Sequence, residues 1–118
     1  MGLVYTKGVV SSNGGKEFDV EFLVDSGATY SLIRKDIWKA MKLRPKREFE
    51  FRLADGTKIR RKVSECYIRF PFGDGHTPVI LGESGDDINL LGAVTLEILG
   101  FVLDPLKREI RPAKMLLK

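Results

Sequence analysis

From Glu17 to Val24 the chain alternates with a period of two. Phe18, Val20, Phe22 and Val24 fall on one side, and Glu17, Asp19 and Glu21 on the other. A run of this kind is a strand with one buried face. It ends abruptly on Asp25, followed at once by Ser26 and Gly27 and then by a second apolar segment, Leu32-Ile33. Asp, Ser and Gly are common turn formers, but a solvated turn needs no apolar walls. Here Phe22, Leu23 and Val24 stand before the turn and Leu32 and Ile33 after it. An acid that breaks the pattern of a well-patterned segment marks a functional position. Gly27 permits a tight turn and close backbone approach, so N–H groups can point at the Asp25 carboxylate. The Ser26 hydroxyl both donates and accepts and can tie the turn to another strand.

The rest of the chain reads mainly as strands. Leu3 to Ser11 is the first, joined to Glu17–Val24 through Ser12-Asn13-Gly14-Gly15, where Asn-Gly signals a hairpin. Ser31 to Ile33 is a short strand. Asp36 to Lys42 carries Ile37, Ala40 and Met41 at helical spacing, with Trp38 at the core edge and Pro45 as the stop. Arg47 to Leu53 alternates again, Ala54-Asp55-Gly56-Thr57 reads as a type I′ turn, and Lys58 to Phe70 returns as a long strand. Phe72 to Gly75 reads as a turn, and Thr77 to Leu81 as a strand that Pro78 moves toward an edge. Gly82 to Asp87 is an acidic loop; Asp86 and Asp87 alone offer too few converging oxygens for a hard cation. Ile88 to Leu91 is a strand and Ala93 to Leu99 a short helix closed by Gly100. Phe101 to Leu103 and Arg108 to Arg111 complete the strands. Nothing repeats, and a single domain over 1–118 is expected.

With 118 residues the core is modest, so burial through self-association would help. The sequence has no apolar run near the ~20 residues a membrane span needs, and Met1 to Val10 contains Lys7 and no long apolar core, so neither membrane nor secretory signal is expected. The lone Cys66 cannot form an internal disulfide, which fits a cytoplasmic protein. Cys66 with His76 could make a nucleophilic pair, yet their flanks favour a packed strand cysteine. The net charge of +4 comes mainly from Arg34 to Lys62 and reads first as a solvated face.

The stretch Leu23-Val24-Asp25-Ser26-Gly27-Ala28 resembles the active-site loop of aspartic proteases, and the chain length points to their retropepsin-like branch. Asn89-Leu90-Leu91-Gly92, followed by a short helical segment ending at Gly100, is similar to the second signature of that branch. The resemblance implies a mainly β fold: a retropepsin-like acid-protease β-barrel with one or two short helices and one half-site per chain. It implies Asp25, Ser26 and Gly27 as the catalytic turn. It also implies that Ala28, with Ala54, Asp55, Gly56 and Thr57 of a closing flap, contacts substrate. This flap tip carries less glycine and more charge than retroviral ones. No cofactor and no metal are implied.

Aspartic-protease chemistry needs two carboxylates, and only Asp25 stands in the required setting. Asp55-Gly56, Asp74-Gly75 and Gly85-Asp86 lack the apolar flanks and the hydroxyl between. A second copy of the chain would supply the other acid. The expected partners are therefore a second subunit and a peptide or protein substrate. The resemblance implies an intermolecular sheet of terminal strands, here Ala113 to Lys118 with Leu3 to Tyr5. Two other readings compete. One is a catalytically weak peptide-binding or dimerisation module of the same fold. The other, ranked last, is a small basic β-barrel binding nucleic acid through Arg52, Lys58, Arg60, Arg61 and Lys62.

Overall fold

A computed structural model describes residues 3–113. In chain order the elements are β1 (Tyr5–Ser11), β2 (Glu17–Val24), β3 (Ser31–Ile33), α1 (Lys35–Ala40), β4 (Arg47–Arg52) and β5 (Lys58–Phe70). Then follow β6 (Gly73–Leu81), β7 (Asn89–Leu91), α2 (Ala93–Leu99), β8 (Phe101–Asp104) and β9 (Glu109–Pro112). The fold is mainly β with two short helices, as expected. The tail carrying Met115, Leu116 and Leu117 lies outside the described residues.

Strand order β1-β2-β7-β3-β6-β5 closes on itself because β1 also pairs with β5, through Val9↔Arg69 to Ser11↔Tyr67. Closure leaves these strands without a free edge where they pair. The alternation of β2 explains the inside. Val20, Phe22 and Val24 are buried and meet Val10, Ile68, Phe70, Leu81 and Leu91. Phe22, Phe70 and Phe101 form a chain of aromatic contacts, with centroids 6.0 and 5.8 Å apart. Each such buried side chain contributes roughly 1.5–3 kcal/mol. β8 and β9 form a separate two-stranded sheet at one end of the barrel, anchored by buried Phe101 and Ile110.

Four local expectations need correction. The helix α1 stops before Pro45 is reached, and Lys42, at φ 61°, turns the chain away. The β4–β5 connection is not type I′. Only Gly56, at φ 89°, has positive φ there, the Gly56 N–H donates to the Leu53 carbonyl at 2.9 Å, and Leu53 N–H donates to Thr57 O at 2.7 Å. This is a three-residue loop with a left-handed glycine after a type I turn. Gly73 and Gly75 lie in β6 rather than in a turn. A Cβ there would stand 3.3 Å from the Phe101 ring and 3.1 Å from Leu99 Cδ2, so these glycines make room for α2 and β8. Pro78 sits within a strand that has two neighbours. Pairing with β3 begins only at Val79, so up to Pro78 the missing N–H costs that ladder nothing.

Candidate active site

β2 carries Asp25 to the end of a strand held on both sides. Val24 N–H donates to Val4 O at 2.8 Å, and β7 runs parallel to β2 with Val24 opposite Leu91. Asp25 N–H continues that ladder, donating to Leu91 O at 2.9 Å. The chain then reverses: Gly27 N–H donates to Asp25 Oδ1 at 3.0 Å and Ala28 N–H to Asp25 O at 3.1 Å. The carboxylate is therefore oriented by the backbone of its own turn. Asp25 is half-buried, Ser26 and Gly27 are exposed, and Ala28 is half-buried.

β7 lies between the two arms of this turn, pairing with β2 on one side and with β3 through Leu32↔Leu90 on the other. The start of α2 completes the clamp. Its first N–H groups have no partner inside the helix, and they donate outward: Ala93 N–H to Ala28 O at 2.8 Å and Val94 N–H to Thr29 O at 3.0 Å. Gly92 passes directly against the Tyr30–Ser31 backbone.

Polar side chains hold the underside. The fully buried Ser31 hydroxyl accepts from Gly92 N–H at 3.0 Å and bonds the Thr95 hydroxyl at 2.6 Å. Thr95 in turn bonds Thr77 at 2.8 Å. Asn89 links two more segments: its Oδ1 accepts from Arg34 N–H at 2.8 Å, and its Nδ2 donates to Glu21 O at 3.2 Å. Sequence reasoning gave none of the four a bonding role, although Asn89 opens the second signature. The one visible signal was Thr95, a polar residue on the inner side of an apolar helix.

The family described as "gag-polyprotein putative aspartyl protease" matches residues 10–97, well over half of the chain. The chain belongs to this aspartyl protease family. The matched span contains both the Asp25 turn and the β7–Gly92 clamp. The fold of this protease-family chain is similar to that of EIAV protease complexed with the inhibitor HBY-793. The TM-score is 0.61 at 15% identity, over 98% of this chain and 94% of that one. At this identity the likeness concerns the retropepsin fold. No curated protein matches the chain.

The remaining expected site residues of this family member fall in two places. Among the described residues the Ser26 hydroxyl has no hydrogen-bond partner; it borders an open groove of about 550 Å3 with Ala93, Leu96, Val102 and Leu103. Ala54, Asp55, Gly56 and Thr57 are all exposed at the tip of the β4–β5 hairpin. There the Thr57 hydroxyl and Thr57 N–H, the latter at 2.8 Å, hold the Asp55 carboxyl below its ordinary range. The base of this hairpin packs on the exit of the Asp25 turn. Tyr30 lies 5.9 Å from Phe49 and 6.2 Å from Phe51, centroid to centroid.

Cys66 and His76 are not brought together as a reactive pair. Cys66 faces the core, where burial pushes its thiol up to about 12, while exposed His76 packs on Tyr67 at 5.4 Å. A thiol so placed is inert. Three of the five basic residues offered for nucleic acid are matched, Arg52 and Lys62 being the other two. Lys58 pairs with Glu50 at 3.9 Å, Arg60 with Glu48 at 3.0 Å and Arg61 with Glu83 at 2.8 Å. Among the described residues, no helix is long and apolar enough to cross a membrane.

Proposed function

We propose that two copies of this chain form an aspartic endopeptidase, each contributing Asp25. The observation that carries this reading is the Asp25 carboxylate held by Gly27 N–H at 3.0 Å, on a turn whose entry bonds Leu91 and whose exit bonds α2. A carboxylate oriented by backbone, on a rigid element, is what general acid–base catalysis requires. One Asp25, ionised, takes a proton from water as the water attacks the peptide carbonyl. The other, protonated, donates a hydrogen bond to that carbonyl and then passes a proton to the leaving amine.

Two carboxylates about 3 Å apart repel by about 5 kcal/mol at an effective dielectric near 20. That separates their titrations by several pH units, so the pair shares one proton across a broad range. In the dimer Ser26, whose hydroxyl has no partner among the described residues, braces one turn against the other. Ala28 borders the peptide, and the β4–β5 hairpin serves as the flap, with Ala54 to Thr57 closing over it.

The test is cleavage of a peptide library by the purified protein and by Asp25→Asn. The expected loss is at least about 10²–10⁴-fold, the range for removing a positioned acid–base group. Equal activity in both proteins would end this reading, as would full activity of a species that sediments as a monomer.

A further inference from the structure

A cavity of about 480 Å3 opens between α1, the loop after β6 and β5, apart from the Asp25 turn. Its wall carries Lys35, Trp38, Lys39, Lys62, Glu83 and Ser84. Hydrogen bonds fix the frame. Trp38 Nε1 donates to Gly82 O at 2.8 Å, Gly82 N–H to Ile33 O at 2.8 Å, and Glu83 N–H to Asp86 Oδ2 at 2.8 Å. A cavity built before its ligand arrives loses little affinity to reorganisation.

Its charge is unbalanced. Glu83 supplies the one carboxylate of the wall, and the Arg61 guanidinium takes it at 2.8 Å. Lys35 Nζ has only the Ser84 hydroxyl, at 3.4 Å, and Lys39 Nζ stands over the Trp38 ring, 5.9 Å from its centroid. Among the described residues neither these two lysines nor Lys62 forms an ion pair. On the neighbouring hairpin, by contrast, Lys58 and Arg60 are matched by Glu50 and Glu48. The uncompensated charge is thus gathered in a concavity, where low-dielectric walls focus the field.

We propose that this cavity binds a carboxylate-bearing polypeptide segment. The inference rests on the endopeptidase reading at one point only, that the acidic segment belongs to a protein that is cut. A half-open cavity of this volume suits a few side chains. Single-stranded nucleic acid follows a basic groove with stacking faces along its length, and here two of the cations further along the hairpin, Lys58 and Arg60, are already paired with Glu50 and Glu48. The position also suits a flanking segment. β3 separates the cavity from the exit of the Asp25 turn, and its three residues span about 10 Å. An extended peptide advances about 3.3 Å per residue, so a span equal to β3 takes about three residues beyond the turn.

Trp38 is the chain's single tryptophan, so its fluorescence reports on this wall. The Asp25→Asn protein is titrated with a hexaglutamate peptide at low and at high salt. A saturable change is expected, weakened by salt as exposed charge pairs are. Lys39→Glu or Lys62→Glu should raise Kd about tenfold or more, about 1.4 kcal/mol. Lys107→Glu, on the β8–β9 turn, should leave it within twofold. The proposal falls if no saturable change occurs, if Lys107→Glu weakens binding as much, or if an oligothymidylate binds tenfold tighter than hexaglutamate. With Asp25 intact, Lys62→Glu should raise KM for acid-flanked peptides and leave kcat unchanged. Hexaglutamate binding by a protein that cleaves no peptide would sink the endopeptidase reading and still support the cavity.

Discussion

Gly92 lies so close to Tyr30 that a Cβ on it would stand 2.6 Å from the Tyr30 carbonyl oxygen and 2.5 Å from its carbon. Both atoms are backbone, so no side chain can swing aside. Gly92→Ala must therefore part β7 from the exit of the Asp25 turn. Overpacking of this kind costs about 1–3 kcal/mol, and a fall of that size in urea stability is expected. Because Asp25 N–H bonds Leu91 O next door, peptide cleavage should fall further than stability does. Wild-type values in both assays would contradict the close approach.

Ser31 is the next link. Its hydroxyl is the partner of the buried Gly92 N–H and of Thr95. Ser31→Ala removes both at once and leaves a buried donor unmet, at a cost of about 1–3 kcal/mol. Thr95→Val keeps the Gly92 bond and breaks only the hydroxyl chain, so it should cost less. Thermal unfolding of the two variants orders them; the reverse order would show that the hydroxyl chain, not the Gly92 bond, holds the turn.

Legibility in sequence followed the range of the interactions. β2 and β5 stand at their expected bounds because alternation of apolar and polar residues is a local record of which face is buried. The helix α2 and its stop at Gly100 were equally local. The Ser31–Thr95–Thr77 chain was not, since its members lie 64 and 18 positions apart and nothing local pairs them. The turn at Ala54 to Thr57 failed for a related reason. Asp-Gly signals a reversal, but the loop length follows from the register Phe49↔Arg61, which is coupled to the packing of Phe49 and Phe51 on Tyr30. Trp38 was placed at the core edge, yet its partner, the Gly82 carbonyl, lies 44 positions away.

At the hairpin tip, pH dependence follows from Asp55. Hydrogen bonds from the Thr57 hydroxyl and N–H favour its ionised form, so its folded pKa lies below the ordinary 3.8. A depressed acid stabilises the turn fully above the unfolded value, and the contribution is lost as pH falls through the folded one. The tip should therefore stay ordered through mildly acid conditions and loosen only below the ordinary Asp range. The Thr57 amide resonance, followed by NMR from neutral to strongly acid pH, should move with a midpoint below 3.8. A midpoint at or above that value, or an unchanged profile in Asp55→Asn, would remove the Thr57 bonds from the account.

Tyr30 couples the exit of the Asp25 turn to the base of the same hairpin. Its ring meets Phe49 at 5.9 Å and Phe51 at 6.2 Å, and those two rings meet each other at 6.2 Å. Pairs of this geometry contribute about 0.5–1.5 kcal/mol beyond simple burial. A double-mutant cycle of Tyr30→Ala and Phe49→Ala should return a coupling energy of about that size, because residues in contact are not additive. The hairpin carries few other contacts to the barrel above Val63, where β5 leaves β6 for β4. Loss of the aromatic base should therefore free the tip: faster amide exchange at Leu53 and Gly56, and a higher KM in peptide cleavage with kcat less affected. Additive single variants, with exchange at the tip unchanged, would mean that the hairpin is held by its own ion pairs, Arg60 with Glu48 and Lys58 with Glu50, rather than by Tyr30.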